Sequence, residues 1–258
     1  MEKNADLFSF GKQELVIQRK ENKKVKSKLS FILLFCFVTF SLLLFLRSSF
    51  FAVEEISIKG VDKVPVEDIR AATGIKEGMN IWKISPPVLR NRILLIPRIA
   101  GVDVKRELPD KLIITVEEKQ PVVMISHHDH FLELAADGMI IGLKKTYRGE
   151  LPLVNGFSRN SIEVGTTISD LPRGEILEVF LKAFQAIPTL PIAEINLEEP
   201  QQIMLYTKEG MEVWLGNDNN LLDKLEILQY INNRLLQNEH KEGYLDLRTA
   251  DAPVFKPF

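Results

Sequence analysis

From Leu29 to Leu46 the chain reads LSFILLFCFVTFSLLLFL, eighteen residues without a charge, a glycine or a proline. An α-helix rises about 1.5 Å per residue, so the run covers roughly 27 Å, close to the hydrocarbon core of a bilayer. A lone segment crosses lipid only as a helix, which satisfies its own backbone polar groups. A buried core helix is rarely apolar on every face over this length. A cleaved signal peptide has an apolar region of about 7–15 residues followed by a small-x-small site. Here Arg47 follows at once, and Phe50-Phe51-Ala52 sets a bulky residue where a small one is needed. The stretch predicts a retained transmembrane anchor over residues 29–46, with Leu29 and Leu46 at its ends and Phe35 within it.

Charge sets the expected orientation. Residues 1–28 hold eight Lys/Arg and four Asp/Glu, whereas residues 47–258 hold 25 and 31. Arg19, Lys20, Lys23, Lys24, Lys26 and Lys28 abut the apolar run. The positive-inside rule then predicts a cytoplasmic tail over residues 1–28 and an extracytoplasmic remainder. The basic cluster suits anionic lipid headgroups beside the membrane. Nucleic acid is not expected as a partner, because the ectodomain is acidic. The only cysteine, Cys36, lies in the anchor, so the ectodomain has no disulfide and no thiolate. The tail itself is polar, lacks clear periodicity and carries no myristoylation or twin-arginine pattern.

Beyond the anchor, hydrophobic content of 45% leaves enough apolar material for cores. Residues 53–60 alternate apolar and polar and stop at Gly60, a strand. Pro65 through Ala72 opens with proline and acids and ends at Thr73-Gly74, a short helix. Ser85-Pro86 starts a second helix, with Val88, Leu89, Ile93, Leu94 and Ile96 near helical spacing and Pro97 ending it. Residues 100–107 and 112–118 read as strands joined by a turn at Leu108-Pro109-Asp110-Lys111. The order is β-α-α-β-β, with both helices expected on one face of a three-stranded sheet. The stretch IPRIAGVDVKRELPDKLIITVEEKQPV resembles the final hairpin of POTRA domains, which are protein-docking modules. Pro97, Val102, Val104, Arg106, Pro109, Ile114, Val116 and Glu117 are its matching residues, and local turns and sheet pairs give most of them a sufficient reason.

Residues 122–126, 130–134 and 139–143 read as strands, with a turn at Asp137-Gly138. Ser169 or Asp170 is placed to cap a helix from Leu171 to Ile187. Residues 193–197 form a strand, and residues 202–206 and 211–215 flank Lys208-Glu209-Gly210 as a hairpin. Asn219 or Asn220 then caps a helix from Leu221 to Gln237, with Leu222, Leu225, Leu228, Ile231 and Leu235 on one side. A strand at residues 243–248 follows, then a short extended end.

No nucleophile elbow, zincin or Walker pattern occurs. His127-His128-Asp129-His130 has zinc-type ligands, but adjacent residues of a strand or turn point apart, so a solvated turn is the reading. His240 is the only other histidine. Glu54-Glu55, Glu117-Glu118 and Glu198-Glu199 are read as solvated faces. No cofactor, metal or catalytic residue is expected.

The fold class expected is α+β: one transmembrane helix, a POTRA-like domain over residues 51–121, and a mixed-sheet β domain with two helices over residues 122–258. That order of parts, the Asp137-Gly138 turn and the ending YLDLRTADAPVFKPF resemble the FtsQ/DivIB family of bacterial cell-division proteins. The resemblance implies a non-enzymatic, single-pass scaffold, concentrated at the septum, that recruits and regulates septal peptidoglycan synthesis. A membrane-anchored ligand-sensing or wall-processing protein is the competing class.

The chain end has its own physical reading. If residues 244–248 pair into the sheet, residues 249–258 can return as a last strand with one side unpaired. Pro253 and Pro257 bracket Val254-Phe255-Lys256, leaving a short window for an added strand. The resemblance implies that an FtsB/DivIC partner, itself complexed with FtsL, binds there. Tyr244, Arg248, Thr249, Val254, Phe255, Lys256 and Phe258 are the expected contacts, with Phe255 and Phe258 either anchoring the partner or covering the sheet's end. Other septal membrane proteins are expected at the POTRA-like domain.

Overall fold

The computed structural model describes residues 28–157, 162–187, 189–235 and 242–258, and of Leu235 only the backbone. The basic cluster from Arg19 to Lys26, the expected helix end at Gln237, the Leu235 side chain and His240 lie outside these residues. The chain divides into two compact units. One holds residues up to Ser57 with Gly74–Pro87 and Val104–Ile114, and the other holds Ile58–Thr73, Val88–Asp103 and Thr115–Phe258.

The apolar run forms helix α1, Lys28–Leu46, long and apolar enough to cross a membrane. Leu29 and Phe35 are exposed along it, and Leu46 at its end is half-buried. In the same unit a 3-10 turn, Ser49–Phe51, follows the helix, and a second, Ile81–Lys83, is capped by Asn80. Helix α2 (Val66–Thr73) buries Ile69 and Thr73, and α3 (Pro86–Ile93) buries Leu89 and Ile93. Helix α3 ends before Pro97, because the Leu95 and Ile96 N–H groups bond three residues back in a tighter turn. Strands β1 (Glu55–Lys59), β2 (Ile99–Glu107) and β3 (Lys111–Glu118) form one sheet in the order β1-β3-β2.

The larger unit is built on a mixed nine-stranded sheet. Its strands are β4 (Pro121–His127), β5 (His130–Ala135), β6 (Ile140–Lys144), β7 (Leu153–Asn155), β8 (Ile192–Asn196), β9 (Ile203–Thr207), β10 (Met211–Gly216), β11 (Gly243–Asp246) and β12 (Val254–Pro257). The order is β12-β11-β10-β9-β8-β7-β4-β5-β6. Helix α4 (Gly174–Ala186) connects the parallel pair β7 and β8, and α5 (Leu221–Leu235) connects the parallel pair β10 and β11. Parallel neighbours need such crossovers, whereas hairpins join antiparallel ones.

One row of residues shows how the core forms. Leu132, Ile125, Val154, Ile195, Leu205, Val213, Leu245 and Phe255 lie opposite one another in register across β5, β4, β7, β8, β9, β10, β11 and β12. All but the half-buried Phe255 are buried. Side chains alternate across a strand, so the neighbouring rows fall on the opposite face. Ile176, Leu177, Phe180 and Leu181 of α4 and Leu221, Leu225 and Leu228 of α5 belong to the same apolar core.

Two helix details depart from expectation. Residues Ile168–Asp170 form a 3-10 turn, and α4 begins at Gly174 after Arg173 at φ 69°. Ser169 and Asp170 are therefore not its cap. The chain doubles back so tightly that a Cβ at position 174 would clash with the Ile168 carbonyl, which glycine alone avoids. In α5 the buried stripe is Leu221, Lys224, Leu225, Leu228 and Asn232, while Leu222 is exposed. Lys224 sits in the stripe because its ammonium donates to the Leu215 carbonyl at 2.7 Å and the Asn217 carbonyl at 3.1 Å. Asn220 precedes α5 at φ 52°, and its carbonyl accepts from the Lys224 N–H.

Candidate functional site

The end of the sheet opposite β6 carries a set of partly exposed aromatic and charged side chains. Strand alternation puts Met204, Tyr206, Glu212, Trp214, Tyr244 and Asp246 on the face away from the core row. Register aligns Tyr206, Glu212, Tyr244 and Lys256 in one row, and Met204, Trp214, Asp246 and Val254 in the next. Trp214 and Tyr244 pack with ring centroids 5.7 Å apart and planes tilted by 41°, and the Trp214 indole N–H donates to the Glu212 carboxylate.

Arg248 closes this patch. Its Nε and Nη2 donate to Asp246 at 3.0 and 2.6 Å, and its guanidinium carbon lies 5.2 Å from the Trp214 ring centroid. The hydrogen bond from Arg248 holds the Asp246 carboxyl below its ordinary range, and the same bond raises the guanidinium further. Burial, then Glu212 and Glu194, raises the Tyr206 phenol. Gln201, Gln202, Ile203, Met204, Trp214, Gly216 and Arg248 line a cleft of about 290 Å³ beside the stack. Such a face can offer stacking, charge-assisted hydrogen bonds and an apolar floor; it aligns no nucleophile with a base.

Strand β12 pairs antiparallel with β11 at the end of the sheet order. Among the described residues no strand lies on its other side. Of the residues expected there, Tyr244 is half-buried in the stack, and Arg248 and Thr249 are exposed at the turn leaving β11. Val254 is 53% and Phe258 81% exposed. Lys256 is exposed on the Tyr244 side, whereas Phe255 packs against the core. The two phenylalanines thus differ: Phe258 is outward, and Phe255 covers the sheet's end.

The hairpin residues have partners of their own. Arg106 donates to the Ile84 carbonyl at 2.6 Å and lies 5.8 Å from the Trp82 ring centroid. Pro109 is half-buried at its turn, and the Glu117 side chain lies over Gly101. The histidines form a hairpin turn in which His127 pairs with His130 and His128 adopts φ 50°. Among the described residues no group of three His, Cys, Asp or Glu is placed to hold a metal ion.

Three polar arrangements went unread in the sequence. Glu118 is not merely solvated: its carboxylate accepts the N–H groups of Asp62, Lys63 and Val64 at 2.8 to 3.0 Å. Burial works to raise this carboxyl, but the three donors and Arg98 outweigh it and hold it below its ordinary value. Glu133, only 4% exposed, accepts from Arg98 and lies 2.8 Å from the Lys144 ammonium. The Trp214–Tyr244–Arg248 stack also needed the register; the alternation in residues 211–215 was its available signal, since it sets Glu212 and Trp214 opposite the core.

Residues 51–119 match the POTRA domain, FtsQ-type, and residues 123–248 match the family described as cell division protein FtsQ/DivIB, C-terminal. The chain is 26% identical over 258 residues to the cell division protein DivIB of Clostridium botulinum (strain Hall), covering 97% of each. It is 30% identical over 185 residues to the cell division protein FtsQ of Syntrophotalea carbinolica, covering 69% of this chain and 65% of that one. The major extracytoplasmic domain of DivIB from Geobacillus stearothermophilus aligns with 47% of this chain at 17% identity and a TM-score of 0.34. With matches to both family domains and to DivIB and FtsQ proteins across most of its length, the chain belongs to the FtsQ/DivIB family of bacterial cell-division proteins.

Proposed function

We propose that this protein is a single-pass divisome scaffold that works by protein contacts rather than catalysis, and that it captures an extended segment of an FtsB/DivIC-type partner, with its FtsL-type companion, along β12. The tail faces the cytoplasm and the remainder acts outside the membrane at the septum, where it helps recruit and regulate septal wall synthesis. Residues 51–121 serve as a second docking module for septal membrane proteins.

The observation that carries this reading is the side of β12 that no other strand among the described residues pairs with. Unpaired N–H and C=O groups on a strand edge template the addition of another strand. Main-chain bonds then give affinity, and flanking side chains give specificity. Val254 and Phe258 are exposed apolar groups at that edge, with Tyr244 one strand in, Trp214 two strands in, and Arg248 just past the end of β11.

The test replaces Val254 and Phe258 together by Asp and measures ectodomain melting and capture of the partner's extracytoplasmic segment. Both side chains are more than half exposed, so melting is expected to hold. Capture is expected to fall by about tenfold or more, roughly 1.4 kcal/mol of binding free energy. Unchanged melting with unchanged capture rules out this edge as the binding site.

A further inference from the structure

The C-terminal end of α1 is fastened to a loop far away in sequence. A helix end leaves carbonyls without intrahelical partners. Here the Asn80 Nδ2 donates to the Leu46 carbonyl at 2.9 Å and reaches the Ser48 carbonyl at 3.4 Å. The same side chain accepts the Trp82 N–H through Oδ1 at 3.0 Å, so one amide ties the anchor to the 3-10 turn Ile81–Lys83. Backbone pairing adds to the tie, since Ala52 bridges Asn80 and the Val53 N–H donates to the Met79 carbonyl.

Aromatic rings occupy the junction. Phe51, 7% exposed, lies 5.3 Å from Phe45, 5.1 Å from Phe50 and 5.8 Å from Trp82 between ring centroids. Phe50 and Trp82 remain 57% and 44% exposed. Arg106 lies over the Trp82 ring and spends one of a guanidinium's five N–H donors on the Ile84 carbonyl. Arg47 and Lys83 are exposed beside them.

We propose that Trp82 and Phe50 form a lipid contact in the headgroup layer of the leaflet where α1 ends, with Arg106, Lys83 and Arg47 meeting lipid phosphates. This rests on the reading of α1 as a membrane span. The geometry commits the occupant: whatever surrounds the last turn of α1 also meets Trp82, because Asn80 holds both. Indole rings favour that depth, with an apolar body and one N–H donor for the wet side. Phosphate accepts charge-assisted bonds from guanidinium and ammonium groups.

The experiment uses the full chain carrying Trp214→Phe, which leaves Trp82 as the only tryptophan. The chain is reconstituted into phosphatidylcholine vesicles with and without phosphatidylglycerol, and flotation reports insertion of α1. Trp82 emission is expected to shift to the blue and to lose about half its intensity to lipid brominated near the headgroup, as an interfacial ring should. Adding Asn80→Ala should leave flotation intact and reduce that quenching. Arg106→Gln should remove any extra quenching gained from the anionic lipid. Chains that float while Trp82 is quenched by aqueous iodide and not by brominated lipid overturn the contact and leave the anchor standing. Chains that fail to float overturn the anchor and the contact together.

Discussion

The ring of Phe255 lies against Gly243 across the β11–β12 pair, so close that a Cβ at position 243 would stand 2.9 Å from two of its carbons. The last strand is therefore keyed to its neighbour by a ring resting on bare backbone. Phe255 also opposes Leu245 in register and joins the core.

Gly243→Ala should loosen this seat, because the same Cβ would also press on the Lys256 carbonyl. Overpacking of this kind costs about 1–3 kcal/mol, read as a lower melting temperature. Phe255→Ala should destabilise by about 1–2 kcal/mol, since the ring is only half-buried. Both variants should lower partner capture along with melting, in contrast to substitutions at Val254 and Phe258. Full melting stability in Phe255→Ala would show that the ring does not cover the sheet's end.

The Glu118 carboxyl provides a pH readout. Burial works to raise its folded pKa, but the N–H groups of residues 62–64 and Arg98 outweigh burial and hold it below the ordinary carboxyl value. A carboxyl depressed in the folded state adds stability above its unfolded pKa and loses it as pH falls through the folded one. The melting advantage of the wild type over Glu118→Gln should therefore hold at neutral pH and shrink as pH falls through the depressed folded pKa. A constant gap down to strongly acidic pH would show that the charge of Glu118 contributes nothing.

In the larger unit, Glu133 is buried between two cations. Removing one partner of a buried ion pair costs about 3–5 kcal/mol, because the remaining charge is left without compensation. Arg98→Met should approach that range, reduced by what Lys144 still supplies. The double variant Arg98→Met with Glu133→Leu should lose less than the two single losses added together, as contacting sites do. Gly142→Ala should also destabilise, since its Cβ would enter the space of Arg98 and Glu133. Denaturant midpoints measure all four, and strict additivity would dissolve the pair.

Local pattern was enough to read α1, the period-two strands and the turns at Asp137-Gly138 and Lys208-Glu209-Gly210. Each depends on residues within one or two turns of chain: an uninterrupted apolar run, alternation, or glycine at a positive φ. The resemblance of the chain's parts and its terminal stretch carried the family. The apolar period of α5 was also legible, but its rotation was not. Leu221 and Leu222 are equally apolar, and only the buried bonds from Lys224 to Leu215 and Asn217 choose between them.

What tertiary structure alone decided is which distant groups meet. Strand alternation says that Glu133 and Glu212 leave one face of a strand, yet Arg98 makes the first a buried anion and Trp214 gives the second an indole donor. The same holds for Phe255 and Phe258, two similar residues three apart, of which register seats one on Gly243 and leaves the other outward. Asn80 carries no sign in sequence of the helix end it caps 34 residues earlier. Sequence periodicity encodes which side of an element is apolar, while the partner across the gap is set by long-range pairing whose register a one-residue slip would reverse.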